Sequence, residues 1–352
     1  MMRRHWILIL GLIISALHVT PGWSRDTETL YLSGTGSDDR VTWEFYCSEG
    51  RRSGAWTTIE VPSNWEFEGF GRYNYGRDRK KSQETGRYRY SFRVPQAWQD
   101  KQVSLVFEGV MTDTEAWING QSVGPIHQGG FYRFSYDITE MINPGQSNLL
   151  EVLVHKVSAN RSVEQAERQA DYWVFGGIYR PVYLEAVPQQ HIKRCAIDAR
   201  ASGQFSVDVY LSQLNAAGPL VATITGPGLA RPYRVVVSVG LGQEKATLTT
   251  TVESIKPWTA ETPSLYTVDL SLQEEGKTGH SVSERFGFRT FEVRPGQGLY
   301  LNGQKIILKG VNRHSFWPDS GRCLNRSLSY ADVHLLKEMN MNAVRMSHYP
   351  PD

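Results

Sequence analysis

Cysteine is nearly absent from this chain: Cys47, Cys195 and Cys323 are three residues among 352, far apart, with no Cys-x-x-Cys spacing. That count excludes a disulfide framework and offers no His/Cys cluster at metal-ligand spacing, so isolated structural thiols are expected. Charge of one sign is also missing. Lys and Arg total 38 against 36 Asp and Glu, a formal net charge of +2. Arg3 and Arg4 account for that excess, and the rest is neutral, which excludes a polyanion such as nucleic acid as a dedicated partner and argues against an anionic membrane surface. Long apolar runs are lacking beyond residues 6–19, and that one is shorter than the roughly 20 residues a membrane-spanning helix needs.

Residues 1–24 nonetheless carry a message. Arg3 and Arg4 precede the apolar run, and the small-x-small triplet Gly22-Trp23-Ser24 follows it. Basic, apolar and small residues in that order form a secretory signal peptide. The expectation is cleavage and export to the periplasm or the extracellular space, with no membrane span left in the mature chain. The alternative is an uncleaved N-terminal anchor. No Cys stands near the cut, which argues against a lipid anchor.

Residues 25–189 read as short strands between turns. Tyr88, Tyr90, Phe92 and Val94 alternate with polar residues, as do Leu150, Val152 and Val154, then Val182 and Leu184. That is the period of half-buried strands. Gly69, Gly71, Gly76, Gly86, Gly120, Gly124, Gly129 and Gly130 are expected to punctuate the loops. Many strands and few helices predict a jelly-roll β-sandwich. In residues 190–293, Phe205, Val207, Val209 and Leu211 alternate, as do Tyr266, Val268, Leu270 and Leu272. About 100 residues of this pattern match the size of an immunoglobulin-like β-sandwich.

Residues 294–352 change character. An apolar, β-rich run over 305–311 leads to a loop with Trp317, Pro318 and Gly321. Ser329, three residues before Asp332, predicts a helix start in the manner of a capping box. Val333, Leu336 and Met339 form an apolar stripe, Asn340 and Asn342 end the helix, and residues 343–346 read as a strand. Strand, helix, strand is a βαβ unit and requires a parallel pair.

Gly310-Val311-Asn312-Arg313-His314, with Pro318 and Gly321-Arg322 after it, resembles the opening of the (β/α)8 barrel of glycoside hydrolase family 2. The resemblance continues through Asp332-Val333-His334-Leu335-Leu336-Lys337 and Asn342-Ala343-Val344-Arg345-Met346-Ser347-His348-Tyr349-Pro350. Trp117-Ile118-Asn119-Gly120, Asp171-Tyr172-Trp173 and Gly177-Ile178-Tyr179-Arg180 are similar to the family's sugar-binding domain. Pro257-Trp258, Pro263, Leu265-Tyr266 and Gly287-Phe288-Arg289 are similar to its immunoglobulin-like domain. The fold this implies is a jelly-roll sandwich, an immunoglobulin-like sandwich and the first βαβ unit of a truncated TIM barrel. The implied activity is retaining exo-hydrolysis of terminal β-glycosides in carbohydrate metabolism. β-Galactosides come first as substrates, with β-glucuronides and β-mannosides as alternatives. Ser315 follows the Asn312-Arg313-His314 motif where many members carry an acidic residue, so substrate identity and any metal site transfer poorly.

Barrel active sites gather at the C-terminal strand ends. His314 ends the first strand and Arg345 and His348 end the second, so the three are expected to share one pocket. The resemblance implies that they bind the sugar in the cleavage subsite, where His and Arg donors can strengthen as oxocarbenium charge develops. The competing reading is that Arg345 and His348 only brace the barrel end. Asp171 and Asn74 match positions where the sugar-binding domain reaches the active site. The alternatives are a satisfied buried Asp and a turn-forming Asn. No cofactor is firmly implied, though a carboxylate such as Asp171 could help hold a monovalent or divalent cation. Trp43, Trp56, Trp65 and Trp117 are expected in the core. The sequons at Asn160 and Asn325 are short matches of little weight.

Retention needs two carboxyl groups roughly 5 Å apart. From residue 295 onward the only acidic residues are Asp319, Asp332, Glu338 and Asp352. With Asp332 expected at a helix cap and Glu338 outward, no catalytic pair is expected, and the chain alone should not hydrolyse glycosides. A non-catalytic secreted carbohydrate-binding protein is the alternative, with a separate chain completing the barrel as a third. The sequence leaves homo-oligomerisation open.

Overall fold

The computed structural model describes residues 26–75, 77–169, 173–274 and 277–351. The expected signal segment, Gly76, Asp171 with Tyr172, and Asp352 lie outside the described residues.

Two antiparallel sheets make the first sandwich. One holds, in spatial order, Glu28–Tyr31, Val182–Pro188, Lys101–Phe107 and Phe134–Asp137; the other holds Trp56–Val61, Val41–Cys47, Thr85–Arg93, Ser147–His155, Asp113–Ile118 and Gln121–Ser122. The long-range order of these strands is what a jelly roll requires. The apolar alternation points inward as expected: Tyr88, Phe92, Leu150, Val152 and Val154 are all buried. Each such side chain contributes roughly 1.5–3 kcal/mol on leaving water.

Trp65, with no exposed surface, sits at the centre of this core. Gly86 is not a loop residue. It lies inside the strand Thr85–Arg93, where a Cβ would come within 2.6 Å of the Trp65 ring and 2.8 Å of Phe45. Its missing side chain is the space the indole occupies. Beside it, Lys156 Nζ lies 2.7 Å from Glu66 and 3.4 Å from Glu84, with all three side chains fully buried. Burial outweighs the lysine and holds the Glu66 carboxyl above its ordinary value.

The expectation of four core tryptophans needs correction. Trp43 and Trp65 are buried, but Trp56 is 44% exposed and Trp117 is half-buried. Both project from the outer face of the six-stranded sheet, because strand periodicity fixes a face without saying which face is covered.

The second sandwich packs Ile192–Ala199, Gln204–Leu211 and Lys245–Thr251 against Tyr233–Val239, Gly218–Thr225, Tyr266–Glu274 and Lys277–Phe286. Phe205, Val207, Val209 and Leu211 meet Tyr266, Val268, Leu270 and Leu272 in its core. His280 joins the sandwiches: its Nδ1 accepts from Ile192 N at 3.1 Å and its Nε2 lies 3.2 Å from Thr27 Oγ1.

In the last segment, Gly310–Arg313 pairs in parallel with Ala343–Met346, and helix Arg326–Glu338 connects them. The apolar run over 305–311 is broken, since Gln304–Ile306 belongs to an antiparallel sheet with Gly298–Leu301. The helix starts earlier than Ser329 predicts. Asn325 is its cap, its side chain accepting from Leu328 N at 2.9 Å. Ser329 and Asp332 instead receive Arg313. Of the apolar stripe, Val333 and Met339 stay 51% and 46% exposed while Leu336 is half-buried, so most of that side lacks cover among the described residues.

Candidate functional site at the end of the parallel strands

The two parallel strands deliver their C-terminal residues side by side. His314 and His348 meet with ring centroids 5.4 Å apart at 84°, and the Tyr349 hydroxyl lies 3.2 Å from His314 Nδ1. His348 adopts φ +40°, a conformation outside the regular strand that turns the chain at this point. Its Nδ1 lies 3.2 Å from Ser347 Oγ. Arg345, exposed on the second strand, contributes positive charge to the same cluster. Partial burial, then His348 and Arg345, lower the His314 pKa, so its imidazole is neutral at pH 7.

Arg313 sets the position of His314. Its Nε donates to Asp332 Oδ2 at 2.7 Å, Nη2 to Ser329 Oγ at 3.1 Å and Nη1 to Ser315 Oγ at 3.3 Å. Helix and strand end are thereby locked together by the two residues the sequence had suggested as a cap.

The first sandwich reaches this strand end through an aromatic wall. Phe316, two residues past His314, lies parallel to Trp173 at 5.9 Å and to Phe175 at 6.2 Å. Tyr73 and Tyr75 close on Trp173 at 5.7 and 4.6 Å. On the other side Tyr349 stacks on Phe131 at 4.6 Å, and the Arg322 guanidinium lies 4.7 Å from the Tyr349 ring and 5.1 Å from Phe131. Arg180 Nη2 donates to the Pro350 carbonyl at 2.8 Å. The loop between Ser315 and the helix is sewn to the sandwich as well, with Arg322 N donating to Asn64 Oδ1 at 2.9 Å.

The five residues singled out from the sequence fare differently. His314, Arg345 and His348 come together. Asn74 does not join them: it is buried in a two-residue ladder opposite Val174, and its Oδ1 accepts from the Ser82 amide at 3.1 Å and from the Ser82 hydroxyl. That side chain braces the 74–82 loop behind the aromatic wall. Asp171 lies outside the described residues. Arg168 donates to the carbonyls of Lys156, at 2.7 Å, and Phe175. Burial lowers the guanidinium pKa to about 10, so it stays charged at neutral pH.

Sequence reasoning singled out neither Tyr349, Phe131, Arg322 nor Phe316. Tyr349 and Arg322 stand inside the motifs quoted above, and that adjacency was the available signal. Phe131 gave none, because its partner is more than 200 residues away.

Comparison with known proteins places these parts in a familiar order. Residues 49–188 match the family model "Glycosyl hydrolases family 2, sugar binding domain", residues 190–289 match "Glycosyl hydrolases family 2", and residues 291–352 match "Glycosyl hydrolases family 2, TIM barrel domain". A β-galactosidase of Arthrobacter sp. (strain B7) is 31% identical over 328 residues, covering 88% of this chain and 30% of the relative. A putative β-glucuronidase of Formosa agariphila is 28% identical over 97% of this chain and 42% of its own length. The crystal structure of Bacteroides uniformis β-glucuronidase superposes with a TM-score of 0.75 at 27% identity, over 93% of this chain and 40% of that one. The chain thus spans roughly a third of the length of such relatives.

Proposed function

Since the chain belongs to glycosyl hydrolases family 2, we propose that it supplies the sugar-binding sandwich, the immunoglobulin-like sandwich and the first barrel strands of an exported, retaining exo-β-glycosidase. One observation carries the reading: His314, Arg345 and His348 cluster at the C-terminal ends of adjacent parallel strands, beside an aromatic wall from the sandwich. His314 Nδ1 and the Tyr349 hydroxyl lie 3.2 Å apart, a contact that holds the imidazole at the strand end. Neutral imidazole and the Arg345 guanidinium then supply hydrogen bonds to the hydroxyls of a terminal sugar, and these strengthen as the ring gains oxocarbenium character.

The acid/base and the nucleophile come from outside this cluster. Asp332 is committed to Arg313, and Glu338 is exposed on the helix. The exposed apolar side of that helix supports further barrel elements as its cover. β-Galactoside is the favoured substrate, in line with the curated relatives named β-galactosidase. β-Glucuronide is the second reading, supported by the Bacteroides uniformis superposition.

The test pairs two samples: the 352-residue chain, and the native protein captured with an antibody against residues 26–293. On 4-nitrophenyl β-galactoside and β-glucuronide, the native protein should turn over one substrate and the chain alone neither. Turnover by the chain alone would refute the assignment of the carboxylates. No turnover by a larger native protein would refute the glycosidase reading.

A further inference from the structure

The outer face of the six-stranded sheet carries a groove of about 430 Å³ that shares no residue with the strand-end cluster, with Trp56, Arg89, Glu151, Leu153 and Trp117 among its lining. That volume lies within the roughly 300–1,000 Å³ of small-molecule sites. Register places these residues in rows across the sheet: Arg89 faces Glu151, and Glu151 faces Trp117. Trp56 stands on the edge strand, four strand steps from Trp117. At about 4.8 Å per step the flanking strands are roughly 19 Å apart, a span for several sugar rings rather than one.

The chemistry of the lining is specific. Arg89 Nε donates to Glu151 at 2.9 Å while its guanidinium lies 4.3 Å from the Trp56 ring. The arginine is therefore held by stacking and by charge, and its Nη groups are not consumed by that pair. With 43% of the Arg89 side chain and 31% of Glu151 exposed, donor and acceptor both face solvent. The remaining charged lining residues, Arg87 and Glu115, are of opposite sign. Gly120, at φ +80°, has no atom within 4 Å of where a Cβ would stand, so the Trp117 end is open.

An electrically balanced floor gives a polyanion nothing to bind, and a floor of ion-paired side chains suits an apolar helix poorly. Paired donors and acceptors between two indoles suit a ligand with apolar C–H faces and equatorial hydroxyls. The electron-rich indole face attracts the polarised C–H groups of a sugar ring, and the Arg89–Glu151 pair can bond its hydroxyls. We propose that this groove is a second carbohydrate site, which takes an internal stretch of a neutral β-linked oligosaccharide. Only the ligand class rests on the glycosidase reading.

Calorimetric titration of the full chain with cellotetraose and with β-1,4-galactotetraose tests this, with tetragalacturonate as the anionic comparator. Saturable binding of a neutral tetrasaccharide is expected, retained in His314→Ala/His348→Ala. It should weaken about tenfold, ~1.4 kcal/mol, in Trp117→Ala and in Trp56→Gln. The second variant alters an exposed side chain, so it decides the matter should the first fail to fold. Absence of saturable binding, or binding lost in the histidine variant and kept in the tryptophan variants, would overturn the proposal. So would self-association abolished by Trp56→Gln, which would mark the face as a contact between copies. Because hydrolysis is not the readout, an inactive native protein that still binds the tetrasaccharide would sink the glycosidase reading alone.

Discussion

Tyr349 lies flat on Phe131, centroids 4.6 Å apart and planes within 16°, and joins the end of the second parallel strand to a loop of the first sandwich. Arg322, only 3% exposed, covers both rings. The sandwich thus fixes the strand end that bears His348.

Replacing Arg322 by Met keeps much of its volume and removes the charge. A desolvated cation–π contact contributes roughly 2 kcal/mol, so the chemical denaturation midpoint should fall accordingly. Hydrogen exchange should accelerate at the amides of 347–349 before it does in the immunoglobulin-like sandwich. Unchanged exchange at those amides would show that the stacked pair holds without the arginine.

Gly176→Ala should be among the most damaging single-methyl changes in the chain. Its Cβ would stand 2.0 Å from Trp65 Cζ2, and the fully buried indole has nowhere to go. Overpacking of this kind costs about 3 kcal/mol or more. Combining it with Trp65→Leu should recover part of the loss, and a double-mutant cycle in urea measures the coupling. Simple additivity would contradict the clash.

Asn325→Ala should cost about 1 kcal/mol, as an N-cap does, whereas Ser329→Ala should cost less because Arg313 keeps Asp332 as its partner. Urea midpoints of the two variants decide which residue starts the helix.

His280 is buried between the sandwiches, and burial, with His191 nearby, lowers its pKa from 6.5 to about 4. Between those values the unfolded chain binds the additional proton, so His280 contributes a loss of stability as pH falls from about 6.5 to about 4. Glu66, held above its ordinary value, acts in the opposite direction, so the comparison must be made between variants. The wild type should lose more stability than His280→Gln between pH 7 and pH 4.5. Parallel denaturation profiles would count against the assignment.

Much of the fold was legible because strands and a βαβ unit announce themselves through local period. Phe205 to Leu211 alternate and are buried alternately; Gly310–Arg313 and Ala343–Met346 pair in parallel as the strand–helix–strand pattern requires. The histidine and arginine positions were legible too, since the ends of adjacent strands must be neighbours. The partner of Asn74 was not legible, because nothing local tells that Ser82 will bond its side-chain oxygen. Ser329 was misassigned as a cap because the competing bond from Arg313 comes from another strand.

The sequence by itself determined which residues share a strand face, where the helix lies, and that the strand-end motif contains His314, Arg345 and His348, all consequences of periodicity and short-range connectivity. Only the tertiary structure decided which face is covered and what meets what across the domains. It left Trp56 and Trp117 on an outer face, gave Gly86 to the Trp65 ring, and stacked Tyr349 on Phe131. Those outcomes depend on packing between segments tens to hundreds of residues apart, and side-chain shape in three dimensions has no period to read.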